Sequence, residues 1–233
     1  MNRPKRADVL VVIPAYNEER TIGEVIRRTL PYADVCVIND ASCDGTEAIT
    51  RSFPEATCLT HGRNTHIPRS ILDGMKFGLD EGYAHIISMD AGLSHKPEDL
   101  PQFLGFPDRD LVIGVRTKTF NIPLFRRFIS WTATGLMNLA LRPPWRRRTI
   151  PRLNDATSGF RRYSRRAAEW LLHKEMKAQA FDFHIEALAL ICRNGFSLGE
   201  VPISYEFSNS SFNVKVLRSS IRMYFDLLLA GRK

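Results

Sequence analysis

At 233 residues and 44% hydrophobic content, the chain can bury one sizeable core but not two independent ones. Its net charge of +8 is concentrated: nine basic residues and no acidic ones lie from Arg116 to Arg152 (Arg116, Lys118, Arg126, Arg127, Arg142, Arg146, Arg147, Arg148, Arg152). Such a field attracts phosphate, whether in nucleic acid, an anionic bilayer surface or a phosphorylated small substrate.

The amino terminus, Met1 to Arg6, is basic, but the apolar run that follows, Val9 to Ile13, stops at Pro14 and is too short for a signal-peptide core. It reads as the first strand of a cytoplasmic protein. Asn17-Glu18-Glu19-Arg20 then leads into Thr21 to Leu30, where Ile22, Val25, Ile26 and Leu30 recur at helical spacing. A second strand, Val35 to Ile38, ends in Asn39-Asp40 and a turn rich in cap formers, Ala41 to Thr46. A helix from Glu47, a short strand near Thr57 to Thr60, a helix over Ile67 to Glu81 and a strand closing at Asp90 complete the first half. Strand and helix in alternation predict a right-handed parallel sheet in an α/β domain.

In the second half, Asp110 to Arg116 reads as a strand and Leu124 to Leu141 as an apolar helix. The uncharged run Phe128 to Leu141 contains Ser130, Thr132, Thr134 and Asn138 and falls short of the ~20 apolar residues that span a bilayer. Pro143-Pro144-Trp145-Arg146 ends it with an aromatic anchor among cations. After the turn Asp155 to Arg161 come helices from Arg165 to about His173 and near Phe183 to Asn194, then a strand around Gly199 to Tyr205. Val216 to Leu229 carries an apolar stripe that suits either core packing or a membrane interface. Cys36, Cys43, Cys58 and Cys192 show no CxxC pair and no metal-ligand spacing, so they read as reduced and partly buried.

The chemistry concentrates at strand ends. A carboxylate closing a buried strand is poorly placed for stability but well placed to hold a cation and its phosphates. Asp90 and Asp40 occupy two such ends, and the first strand delivers Asn17 and Glu18 beside them. In open α/β sheets ligands lie beyond the carboxyl ends of the strands. A nucleotide diphosphate from which a sugar departs gathers negative charge that a cation or several guanidinium groups must neutralise, while base and ribose need separate polar contacts. A nucleic-acid reading finds no recognition module and no interleaved aromatic platforms, so nucleic acid is not expected as a partner.

Five segments, VVIPAYNEE (Val11 to Glu19), VINDASCDGT (Val37 to Thr46), MDAGLSHKPEDL (Met89 to Leu100), DATSGFRRY (Asp155 to Tyr163) and GEVPISY (Gly199 to Tyr205), together resemble the family 2 inverting glycosyltransferases of GT-A fold, nearest the dolichol- and polyprenyl-phosphate mannose synthases. The resemblance runs in order over roughly nine-tenths of the chain. It implies one GT-A domain, a Rossmann-like, mostly parallel sheet flanked by helices, with a nucleotide-binding half at about 7–115 and an acceptor- or membrane-facing half at about 116–233.

The resemblance further implies that Pro14, Ala15, Tyr16, Glu18 and Asp40 hold base and ribose, and that Asp90, the first acid of a DxD-type motif, binds a divalent cation (Mg or Mn) and the donor diphosphate. Arg116 and Arg126 match arginines that grip acceptor phosphate or donor diphosphate. Ser158 and Arg161 match the SGF-R motif beside the acceptor, and Lys215 or Arg218 would supply a further phosphate contact. The implied reaction transfers a sugar from a GDP- or UDP-linked donor to a polyprenyl phosphate at the cytosolic membrane face, the basic belt meeting anionic lipid. An acceptor already anionic needs no general base; a hydroxyl acceptor, as in a soluble or polysaccharide substrate, would need one, with Asp155 or Glu186 available by position.

Three departures mark this chain. Gly92 stands where the motif has its second acid and Ser94 where a glutamine often follows, leaving Asp90 and His95 as nearby ligands. Thr65-His66-Ile67-Pro68-Arg69 replaces a glycine-rich loop. Phe207 to Phe212 replaces an arginine-containing one. A non-catalytic nucleotide-binding relative is the alternative that Gly92 raises.

Overall fold

The computed structural model describes residues 8–141 and 152–207, apart from the side chains of Leu124 and Arg126. Arg142, Trp145, the arginines 146–148, Lys215, Arg218 and the stripe from Val216 therefore lie outside the described residues.

Along the chain, β1 (Val9–Ala15), α1 (Ile22–Thr29), β2 (Asp34–Asn39), α2 (Thr46–Arg51), β3 (Ala56–Thr60), α3 (His66–Asp80) and β4 (His85–Ser88) follow the expected alternation. A one-turn 3-10 helix, Pro97–Asp99, and α4 (Leu100–Leu104) come next. Then follow β5 (Leu111–Phe120), α5 (Leu124–Leu141), β6 (Arg161–Ser164), α6 (Arg165–Leu172), α7 (Asp182–Arg193) and β7 (Leu198–Glu206). The strands form one sheet in the order β3-β2-β1-β4-β6-β5-β7. Every pairing is parallel except those of β6, which runs against both β4 and β5. The sequence reading missed β6, because Arg161-Arg162-Tyr163-Ser164 has neither apolar alternation nor a long apolar run.

β1 is buried on both faces, as a central parallel strand must be. Its even positions, Leu10 and Val12, join Cys36, Ile38 and helices α3, α6 and α7 in one core, while Val9, Val11 and Ile13 join α1, Phe103 and Phe160 in the other. The approach of α3 is close: a Cβ on Gly74 would stand 2.2 Å from Val12 Cγ1, so only glycine fits there.

The chain winds outward from β1 through β2 to β3, then returns to place β4 on the opposite side of β1. This reversal opens a crevice at the carboxyl ends of β1 and β4. Pro14 helps to open it. Val12 accepts from the Met89 N–H, so Pro14, two residues on, turns its missing N–H toward the same side, beyond the last paired residue Ser88.

Candidate active site

The loops after β1 and β2 are laced together. Asn17 N–H donates to Ser42 Oγ, and Asn17 Oδ1 accepts from Cys43 N–H at 2.8 Å. Glu18 N–H donates to Thr46 Oγ1, and Gly45 N–H donates to Glu19 Oε2. Asn17 and Ala41 both hold positive φ, 56° and 59°, an unfavourable backbone for a β-carbon residue such as Ala41 that this network sustains. The result is a fixed rim on which Tyr16 is 48% exposed and Glu18 half-buried. Burial chiefly, with Asp90 and Asp44 adding and the Thr21 hydroxyl opposing, raises the Glu18 pKa.

Asp40 is placed as expected at the end of β2, but its carboxylate already serves the protein. Oδ1 accepts from Thr65 N–H (2.7 Å), Thr65 Oγ1 (2.9 Å) and the His61 ring (2.8 Å), and Oδ2 from His66 N–H (2.7 Å). Burial pushes its pKa up, yet these bonds prevail and hold it below the ordinary carboxylate value. Asp40 thus fastens the entry of α3, where His66 sits at φ 66°, and only Oδ2 has capacity left for a ligand.

Asp90 lies two residues past β4, with its side chain about one-third exposed. Its N–H donates to His95 Nδ1 at 3.3 Å, and the His95 ring is fixed between Phe160 and Tyr205, with centroids at 5.2 and 5.6 Å. His95 Nδ1 is spent on the Asp90 amide and also stands 3.4 Å from Asp90 Oδ2, so that nitrogen shapes the turn and is not a free ligand. Asp90 makes no ion pair with lysine or arginine among the described residues, and its carboxylate faces the crevice as one hard oxygen donor, which suits a divalent cation.

Opposite Asp90 stands the turn 155–161. Gly159 occupies a position where a Cβ would lie 3.0 Å from His184 Nε2 and 3.4 Å from Asp90 Oδ1, so both atoms border one small volume. His184, in the first turn of α7, is buried, and its Nδ1 has no partner. Burial above all, with Arg161 and His95, holds its pKa well below the usual range, so the ring is neutral. The sequence reading passed over His184 as one residue of an apolar helix.

Two arginines of the expected set turn inward. Arg116 Nε donates to Asp155 Oδ2 (2.6 Å), and Nη2 donates to Asp155 Oδ1 (2.8 Å) and to Thr157 Oγ1. Its guanidinium also lies 5.2 Å from the Tyr205 ring centroid. Nη1 alone lacks a partner among the described residues. Arg116 is therefore no part of a solvated basic belt. Arg161 is fully buried and donates to three carbonyls, those of Ser158 (2.8 Å), Ala156 (2.8 Å) and His184 (2.6 Å). It positions the turn and α7 rather than reaching an acceptor, and Ser158 is likewise buried beneath the turn. Arg126 carries no described side chain and Lys215 is undescribed, so neither is placed.

The two carboxylates available as a base are both committed. Asp155 is paired with Arg116, and although burial pushes its pKa up, Arg116 and Thr157 bring it below the ordinary value. Glu186 accepts from the N–H groups of Lys177 and Ala178. On the outer surface, α5 exposes Phe125, Phe128, Trp131, Leu136 and Leu139 along one face while Met137 and Ala140 turn inward. No helix among the described residues is long and apolar enough to cross a membrane.

Comparison with known proteins agrees with this geometry. The model of "Glycosyl transferase family 2" matches residues 10–169. The undecaprenyl-phosphate mannosyltransferase of Micrococcus luteus is 32% identical over 84% of this chain and 83% of its own. The polyprenol monophosphomannose synthase of Mycolicibacterium smegmatis is 30% identical over 84% and 76%. Among solved structures, glucosyl-3-phosphoglycerate synthase from Mycobacterium tuberculosis with Mn2+, UDP-glucose and phosphoglyceric acid superposes with a TM-score of 0.69 over 96% of this chain and 79% of that one, at 19% identity, a likeness of fold. With a family model covering more than half its length and two relatives at or above 30% identity, the chain belongs to glycosyl transferase family 2 and is a glycosyltransferase of GT-A fold.

Proposed function

We propose that this enzyme moves one sugar, with inversion, from a GDP- or UDP-linked donor to a polyprenyl phosphate, working as a peripheral protein on an anionic, cytosolic membrane face. The observation that carries the acceptor assignment is the commitment of Asp155 and Glu186: both carboxylates that the sequence offers as base toward a hydroxyl are held by donors. A phosphate acceptor arrives as a nucleophile and requires no proton removal. The names of the two mannosyl relatives and of the UDP-N-acetylglucosamine–dolichyl-phosphate N-acetylglucosaminyltransferase of Methanococcus voltae, 23% identical, support the same acceptor class.

In this reading the segment 7–115 binds the donor and 116–233 the acceptor and membrane. Tyr16 stacks beside the base at the end of Pro14-Ala15, and Glu18 and Asp40 Oδ2 receive ribose and base donors. Asp90 holds a divalent cation, which when bound neutralises the diphosphate. A phosphate oxygen attacks the anomeric carbon as the bond from that carbon to the donor β-phosphate oxygen breaks, and the nucleoside diphosphate leaves with the electron pair. Arg116 Nη1 donates to a phosphate oxygen; Arg126 and Lys215 supply further cations. Ser158 and Arg161 hold the turn that fixes the far wall. The apolar face of α5, with Arg127 and Lys118 exposed nearby, enters the interface.

Incubating the protein with GDP- or UDP-sugars, polyprenyl phosphate and Mn2+ or Mg2+ tests this directly. Organic-extractable labelled product, lost in Asp90→Asn, is expected; binding of nucleotide without product in any combination would establish the non-catalytic alternative.

A further inference from the structure

A neutral imidazole sealed in a protein interior with one ring nitrogen unpartnered costs stability. His184 is such a group: its Nδ1 is buried without a partner, and its ring lies among Phe181 and Phe183, with centroids at 6.2 and 5.6 Å. The fold nevertheless fixes the backbone that carries this ring. Arg161 clamps the His184 carbonyl at 2.6 Å and, through the carbonyls of Ala156 and Ser158, the turn that carries Gly159. Gly159 then keeps the space before Nε2 clear, and Asp90 Oδ1 borders the same space, 3.4 Å from where a Cβ on Gly159 would stand.

Gly92 removes the acid that would have been a second oxygen ligand on the Asp90 loop. A second donor, His184 Nε2, nonetheless borders the same space as Asp90 Oδ1. We propose that His184 Nε2 and Asp90 Oδ1 together hold the divalent cation, donor diphosphate oxygens and water completing its shell. The proposal rests on the functional reading above and adds to it a ligand and a preference. One imidazole nitrogen and one carboxylate oxygen suit manganese or cobalt better than magnesium, whose sites are built from oxygen. Arg161 is the positioning residue for His184 and for the turn that carries Gly159.

The test is electron spin-echo spectroscopy of Mn2+ bound with UDP or GDP to protein labelled with 15N-histidine. A 15N coupling to manganese is expected in the wild-type protein and is expected to vanish in His184→Gln. Manganese affinity in the nucleotide complex should fall by about tenfold or more. Should His184→Gln fail to fold, Gly159→Ala provides the second arm, since its methyl group enters the space that both donors border and should also abolish the coupling. In the double variant Gly92→Asp/His184→Gln, affinity should return without the 15N coupling. Bound manganese with no 15N coupling in the wild-type protein, or a coupling that persists in His184→Gln, overturns the assignment and leaves the glycosyltransferase reading intact. Absence of manganese uptake with either nucleotide overturns the cation-dependent donor reading as well.

Discussion

Replacing Arg161 with methionine separates two roles that the residue could play. In the structure its guanidinium is fully buried and serves three backbone carbonyls at 2.6 to 2.8 Å, so the substitution orphans the carbonyls of Ala156, Ser158 and His184 together. A hydrogen bond to a charged group is worth about 1.5–3 kcal/mol, which caps the loss near 9 kcal/mol. Shared partners and local relaxation make such losses less than additive, so about 4–5 kcal/mol is expected. At roughly 2–4 °C per kcal/mol for a chain of this size, the melting temperature should fall by roughly 8–20 °C. Urea unfolding followed by circular dichroism, with transfer assayed below the transition, measures both consequences. A change under about 1 kcal/mol accompanied by a selective rise in acceptor KM would refute the reasoning, because it would mean that the guanidinium reaches substrate rather than holding the turn.

The Arg116–Asp155 pair should be costly to break: Asp155→Ala leaves a buried guanidinium unpaired and should destabilise by about 3–5 kcal/mol, with a smaller loss in Asp155→Ala/Arg116→Met. Asp155 and Asp40 both have folded pKa values below the ordinary 3.8, so their stabilisation is complete above that value and is lost as pH falls through the lowered folded values. Unfolding free energy measured against pH should therefore decline below pH 3.8, and less steeply in Asp155→Asn. Asp90→Asn should abolish transfer with an unchanged melting temperature, since Asp90 is partly exposed and outside any arginine or lysine pair among the described residues. Phe128→Ser/Trp131→Ser should weaken binding to vesicles containing phosphatidylglycerol by about tenfold or more, as each aromatic buried is worth roughly 1.5–3 kcal/mol; unchanged co-sedimentation would remove α5 from the interface.

The alternation of apolar runs with amphipathic stretches made the first half of the sheet readable, because parallel strands buried on both faces and one-sided helices have distinct periods. β6 escaped because its two arginines are buried by carbonyls: Arg161 by those of the adjoining turn 156–158 and of His184 in α7, Arg162 by those of Phe103, Phe106 and Pro107 in a distant segment. Charge in a sequence suggests solvent, and the folded turn and the tertiary contacts that supply those carbonyls are not written in it. The same blindness explains Arg116, read as part of a basic belt and found paired with Asp155. Asp40 and Asp90 were visible as acids at strand ends, but the bonds that occupy Asp40 come from residues 61–66, which the sequence does not place beside it. His184 left no local signal, since its meaning depends on Gly159 and Asp90 arriving from two other segments.

The claim that joins these observations is that the acceptor must bring its own negative charge. Initial rates with a polyprenyl phosphate and with the corresponding free polyprenol, at one donor and one metal concentration, test it most directly. Product from the phosphate alone is the predicted result; comparable turnover of the alcohol would contradict it and require a base that the committed carboxylates of Asp155 and Glu186 do not provide.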